Sequence, residues 1–254
     1  MRGRVRTAVA GATVMAASAV GVWAAPPALA NTYACVDFAA RGHQVGYWTA
    51  GPGDTFGLGL SAYLTVAREE VCDEDHSRNN YNTAQIQQQS GKYPDVYSSA
   101  GIIRRYSDST YAFVNGNGYG TPYSIRTSPS PVSVGARLCT RLLPTKNEYG
   151  EPALYPVVYN STCDTSLVNL SVFTISDGPY QDVWYAAASY MSSDVPGTPT
   201  AKTHMYAMGY GVPGSNPVQW KSYPGILFGY NDNRSHWAYD ADSYTSIYMW
   251  TYKE

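Results

Sequence analysis

The stretch YTSIYMWTY, from Tyr244 to Tyr252, has side chains that alternate with a period of two. One face of the predicted strand carries the aromatic rings, while the other carries threonines together with Ile247 and Met249. Such alternation is typical of a strand that rests one face on a core. Ile247 and Met249 are therefore predicted core residues, and the stretch indicates a β protein.

The same pattern recurs in short runs separated by turns such as GPGD at 51, NGNGYGTP at 115 and GVPGSNP at 211. Tyrosine is abundant, with 24 residues against five phenylalanines, and its amphipathic ring suits half-buried strands. These features predict an all-β fold, an antiparallel β-sandwich or barrel-like domain with many short Tyr-rich strands. The candidate strands are 43–49, 99–106, 110–115, 132–142, 154–159, 166–176, 181–191, 201–210, 225–230, 236–241 and 244–252. Residues 56–72 fit both a strand and a helix, with a strand favoured through Val66.

Residues 1–30 have the features of a secretory signal peptide. Three arginines precede an apolar run, and Ala28-Leu29-Ala30 forms an A-x-A cleavage site. The Ala-rich leader is typical of secreted bacterial proteins, so an extracellular location without membrane insertion is predicted. Residues 31–254 are predicted to form a single all-β domain, with TSPSP at 127–131 as the candidate seam within it.

Four cysteines follow the leader, namely Cys35, Cys72, Cys139 and Cys163. An even number in an exported chain predicts two disulfides, with three alternative connectivities. The sequential pairing of Cys35 with Cys72 and of Cys139 with Cys163 closes the shortest loops and is favoured. The absence of a C-x-x-C pair argues against a zinc or redox site.

The charge of the chain argues against one class of partner. Without the three leader arginines, 14 basic residues face 19 acidic ones, a net charge of about −5. No basic stripe is present, so no nucleic-acid partner is predicted.

The alternate oxygen ligands of CDEDHSRNN, from Asp73 to Asn79, lack the glycine and glutamate of an EF-hand loop. The stretch is interpreted as an acidic loop, and neither a metal site nor a cofactor is predicted.

The sequence also predicts no catalytic residue. It contains neither G-x-S-x-G nor H-E-x-x-H, and His204, which shares a strand face with tyrosines, is interpreted as structural. Asp240 and Asp242 fall on one face of a predicted strand, a spacing that is compatible with acid–base hydrolysis. Acidic residues that follow each other so closely are more typical of a turn.

Aromatic residues near the C-terminus are the predicted ligand-binding residues, because tyrosine and tryptophan dominate binding surfaces. They are Trp237, Tyr239, Tyr244, Tyr248 and Trp250. The leading hypothesis is therefore a secreted, non-catalytic binding or adaptor protein. It would engage another secreted protein, in an extracellular assembly such as a toxin-like complex, or a cell-surface glycan. One alternative is a secreted hydrolase acting on polysaccharide or peptidoglycan, and another is an inhibitor of a secreted enzyme.

Overall fold

The computed structural model describes only part of the chain, and all of that part belongs to the compact unit Tyr33–Glu254. The described residues are 43–52, 59–67, 81–90, 95–105, 109–118, 121–171, 173–174, 180–190, 195–212, 215, 217–222, 228–231 and 237–251. Within these ranges the regular structure consists entirely of strands. The all-β prediction is confirmed.

Seventeen strands are described. They are β1 (His43–Pro52), β2 (Leu60–Thr65), β3 (Tyr81–Ser90), β4 (Tyr97–Arg105), β5 (Tyr111–Gly118), β6 (Thr121–Thr127), β7 (Arg137–Lys146), β8 (Pro152–Tyr159), β9 (Ser166–Asn169), β10 (Phe173–Thr174), β11 (Tyr180–Tyr190), β12 (Gly197–Thr198), β13 (Ala201–Gly211), β14 (Trp220–Ser222), β15 (Phe228–Asn231), β16 (Trp237–Ser243) and β17 (Ser246–Thr251).

These strands form two antiparallel sheets. The seven-stranded sheet has the order β15-β1-β11-β3-β4-β5-β6. The ten-stranded sheet has the order β10-β8-β7-β2-β13-β17-β16, with β9 beside β8 and with β12 and β14 beside β13. The predicted seam at 127–131 lies where the chain leaves β6 in one sheet and continues towards β7 in the other.

The core lies between the two sheets, as in a β-sandwich. Ile86, Ile102 and Tyr185 face it from the seven-stranded sheet, and Leu64 and Met205 from the ten-stranded sheet; all are at most 1% exposed. The predicted core residues Ile247 and Met249 are fully buried there as well. The alternation in the C-terminal stretch therefore identified the inner face correctly.

Two buried polar contacts tie the sheets to each other. The hydroxyl of Tyr185 donates to the carbonyl of Gly209 at 2.8 Å, and the backbone N–H of Gly59 donates to the side-chain oxygen of Gln88 at 2.9 Å. Buried polar groups destabilise a core unless they are paired. These bonds give hydrogen-bond partners to a phenol and an amide that the packing of the two sheets shields from water.

The disulfide between Cys139 and Cys163 is confirmed, with Cα atoms 5.4 Å apart. It closes a loop of 24 residues in sequence separation, which in the chain-entropy model corresponds to about 3 kcal/mol of stabilisation. A disulfide of this kind is typical of an oxidising compartment. Cys35 and Cys72 lie outside the described residues.

The region that fitted both a strand and a helix forms a strand in its described part, as favoured, because β2 runs from Leu60 to Thr65. Strand β3, in contrast, is absent from the candidate strands. Its sequence YNTAQIQQQS offers few apolar residues on its inner face. The alternation of apolar and polar residues that predicts a strand is therefore weak there. Long strands on both sides, β4 and β11, hold it in the middle of the sheet. Among the described residues there is no helix long and apolar enough to cross a membrane.

Candidate functional site

The five predicted ligand-binding residues lie on different faces of the ten-stranded sheet. Trp237 and Tyr239 are opposite Thr251 and Met249 in the ladder and so point to the inner side. Trp237 is 1% exposed, whereas Tyr239 is 39% exposed because β16 is the edge strand and extends past the core. The structure therefore places Trp237 in the core and not on a surface.

The other three predicted residues lie outside the core. Tyr244 is in the turn between β16 and β17 and is 59% exposed. Tyr248 and Trp250 are half-buried on the outer face of β17. Only these two belong to a larger arrangement of side chains.

That arrangement is a continuous row of rings and cations on the outer face of the ten-stranded sheet, called here the outer row. Strands β7, β2, β13 and β17 contribute to it, because they are neighbours in the sheet. Its members, in spatial order, are Arg137, Tyr63, Tyr206, His204, Tyr248, Lys202 and Trp250. Sequence reasoning identified only its last strand, since the row requires the register between four strands.

His204 occupies the middle of the outer row. Its ring stacks on Tyr248 with centroids 4.0 Å apart and on Tyr206 with centroids 4.7 Å apart. The ring is directly opposite Tyr248 in the ladder, while Tyr206 is opposite Ser246. This diagonal relation brings His204 Nε2 to 2.9 Å from Ser246 Oγ. An imidazole and a hydroxyl at this distance are the arrangement of a base beside a nucleophile.

Electrostatics favour a neutral imidazole. Burial lowers the pKa of His204 below its usual value, and the carboxylate of Asp242 opposes this shift. Burial and a hydrogen bond to Asp242 raise the pKa of Tyr248, so this phenol stays protonated and can donate to the carboxylate. A neutral His204 with its proton on Nδ1 accepts the Ser246 hydroxyl proton at Nε2.

The stability of the protein is expected to fall on acidification in a way that depends on His204. Because burial lowers its pKa in the folded state, the unfolded chain binds more protons below the ordinary histidine pKa of about 6.5. The contribution is present above that pH and is lost as the pH falls through the folded-state pKa. Urea unfolding at pH 7.5 and 5.5 should show a smaller pH-dependent loss for His204→Gln. Equal losses in both proteins would contradict this expectation.

Strand β13 is irregular next to His204. Its register against β2 shifts between Tyr206 and Gly209, and Ala207 has a φ of 49°. A left-handed conformation is uncommon for a residue with a Cβ atom, and such bulges are over-represented next to active sites because they re-aim side chains. The strained residue lies three positions from the imidazole on the same strand.

The predicted acid pair does not form across a cleft. Asp240 and Asp242 are both exposed on β16, and a register shift between Ala241 and Ser243 interrupts the alternation that would align them. Asp240 accepts a hydrogen bond from the backbone N–H of Ala241 at 2.9 Å. Asp242 bonds instead with Tyr248.

The outer face of the seven-stranded sheet is also polar. Gln85 donates to Gln87 at 3.0 Å, and Gln87 donates to Gln89 at 3.1 Å, so the amides form a ladder along β3. Ser99, which is fully buried, bonds with the side-chain carbonyl of Asn115. Amides neither take up nor release protons near neutral pH. Within the described ranges, the contact between an imidazole and a hydroxyl lies at His204 and Ser246 and not on this face.

Metal chemistry finds no support among the described residues, where no cluster of histidine, cysteine, aspartate and glutamate is arranged to hold an ion. The acidic loop from Asp73 to Asn79 lies outside them. The prediction that no metal or cofactor is required stays a prediction.

Comparison by fold gives a clear likeness. Scytalido-glutamic peptidase, solved with a peptide-based transition state analog, matches 84% of this chain and 99% of its own at a TM-score of 0.51 and 12% identity. This chain therefore shares the fold of scytalido-glutamic peptidase. A second structure of scytalido-glutamic peptidase, with a transition state analog inhibitor, matches over the same shares at 0.52 and 11% identity. SCP-B, a member of the Eqolisin family of peptidases in a complex with the tripeptide Ala-Ile-His, has a TM-score of 0.48 at 11% identity. The sequence matches no protein-family model and no curated protein.

The comparison corrects the leading hypothesis from the sequence. A non-catalytic binding or adaptor protein was expected because no catalytic motif is visible, but the fold is shared with scytalido-glutamic peptidase. Nothing in the comparison supports glycan binding. The likeness of fold agrees better with the alternative hypothesis, a secreted hydrolase, than with the leading one. A sequence motif cannot detect side chains that strand register brings together, because these side chains are far apart in the sequence.

The described strands contain no glutamate at all. Glu148 and Glu151 lie in the connection between β7 and β8, and both are exposed.

Proposed function

We propose that this protein is an exported hydrolase that cleaves peptide bonds by acyl transfer to Ser246. The observation that carries the proposal is the distance of 2.9 Å between Ser246 Oγ and His204 Nε2. The peptidase fold supports the class of reaction and of substrate. The disulfide and the predicted signal peptide support the exported location.

In the first step, Ser246 Oγ attacks the carbonyl carbon of the substrate while His204 Nε2 takes the hydroxyl proton. Collapse of the tetrahedral intermediate breaks the C–N bond, and the imidazolium returns its proton to the departing amine. Burial lowers the pKa of His204, and the Asp242 carboxylate opposes this shift and so favours the imidazolium electrostatically. Water then attacks the acyl–serine ester with His204 as base, which releases the acid and regenerates Ser246.

Covalent labelling tests the proposal directly. A fluorophosphonate should react with Ser246 in the folded protein, and peptide mapping should locate the adduct there and not on the neighbouring Ser243. The same protein should generate new termini in a pool of peptides, detected by mass spectrometry. Heat-denatured protein is the control, since labelling requires the register that brings Ser246 to His204. Absence of both labelling and cleavage would overturn the proposal.

A further inference from the structure

We infer that Lys202 forms a carboxylate-binding subsite beside Ser246 and selects substrates with an anionic group next to the bond cleaved. This inference rests on the proposed function, because it specifies the substrate of the same site. Lys202 Nζ lies 4.0 Å from the ring centroid of Trp250 and 6.0 Å from that of Tyr248. The ammonium group is therefore held by ring faces at the end of the outer row.

The position of this cation is set by its strand. Lys202 and His204 are two residues apart on β13, so they share the outer face at a spacing of about 7 Å. Tyr248 lies between them, stacked on His204 at 4.0 Å. An extended substrate also repeats about every 7 Å along one face. A carboxylate one such repeat from the scissile carbonyl would therefore reach Lys202.

The ammonium has free capacity for an anion. Among the described residues no carboxylate pairs with Lys202, which contacts the rings of Tyr248 and Trp250. Cation–π attraction orients the charge while the three N–H donors stay available for oxygen acceptors. Half-burial of the side chain weakens the screening of the charge by solvent. An ordinary solubilising lysine with its stem along a tryptophan would show none of the selectivity described next.

Two kinds of substrate carboxylate have the chemistry required, namely the side chain of an acidic residue and the free C-terminus of the chain. Paired peptides distinguish them: one pair differs by Glu or Gln beside the scissile bond, and the other by a free or amidated C-terminus. The arm with the larger preference identifies the source. A preference in neither pair would overturn the subsite.

The test compares the protein with Lys202→Met, which keeps the length of the stem and removes the charge. Each peptide is measured by titration calorimetry and by the kcat/KM for cleavage. We expect the protein to prefer the anionic peptide about fivefold, near the upper range for a partly exposed ion pair. Lys202→Met should lose this preference, because its kcat/KM for the anionic peptide should fall to about that for the neutral peptide. Lys221→Met is the matched control, because Lys221 is exposed on β14, and it should keep the preference.

The two proposals fail in different ways. If the protein neither cleaves peptides nor reacts with the fluorophosphonate, but binds the anionic peptide better through Lys202, the subsite stands and the acyl-transfer mechanism falls. If it cleaves both peptides of each pair equally and binds them equally, the hydrolase stands and the subsite is refuted. An unchanged preference in Lys202→Met would also refute it.

Discussion

Replacing Ser246 with alanine is expected to lower kcat/KM for peptide cleavage by roughly 10³-fold or more, because the variant lacks the attacking oxygen. His204→Gln should cause a loss of similar size, since it removes the base that accepts the hydroxyl proton at 2.9 Å. The two residues act as a unit, so the double variant should be little worse than either single variant. Initial rates on one peptide, measured under identical conditions, provide the comparison.

A neighbouring serine is the matched control for this experiment. Ser243 lies on the same hairpin, and its hydroxyl is 3.3 Å from that of Thr245. Ser243→Ala should therefore keep nearly full activity. Melting temperatures of all variants must be similar, because His204 also stacks on two tyrosines. If Ser246→Ala retained most of the activity while folded, the nucleophile would have to be another group.

Replacing Trp237 with alanine is expected to lower the free energy of unfolding by about 3–5 kcal/mol. Its side chain is 1% exposed and belongs to the core cluster between the sheets, so the substitution leaves a large cavity. The backbone carbonyl of Trp237 accepts a bond from the side-chain nitrogen of Asn231 at 2.7 Å, and this contact should survive the change. Unfolding by guanidinium chloride measures the effect.

Tyr244→Ala is the control for the core substitution. Tyr244 is also an aromatic residue of the C-terminal region, but it is 59% exposed in a turn, and surface changes usually stay within about 0.5 kcal/mol. A similar small loss for both variants would show that Trp237 is not a core residue. This comparison separates two aromatic residues that the sequence had assigned to one ligand surface.

The difference between Trp237 and Trp250 shows what a linear pattern can establish. Alternation correctly separated the inner residues Ile247 and Met249 from Tyr248 and Trp250 within one strand. It could not relate β16 to β17, because the ladder between them is interrupted by a register shift. The pairing of Cys139 with Cys163 followed from loop length alone. Local information was sufficient in both successful cases.

The candidate site could not be predicted in the same way. His204 and Ser246 meet only because β13 and β17 are neighbours with one particular register, and a slip by one residue would turn one of them to the core. The sequence indicated a structural histidine among tyrosines, and the stacking is indeed present. Its bond to a serine hydroxyl depends on tertiary pairing. The Gln-rich strand β3 was missed for a different reason, because few of its residues are apolar.

The pairing of strands that are far apart in the sequence has a consequence for how the chain folds during synthesis. In the seven-stranded sheet, His43 is opposite Ser189, and in the ten-stranded sheet, Thr65 is opposite His204. Early strands of both sheets thus remain without a partner on one side until most of the polypeptide has been synthesised. Non-local pairing of this kind folds slowly. A chain that cannot close its sheets early stays extended for longer during synthesis, which fits the exported location proposed above.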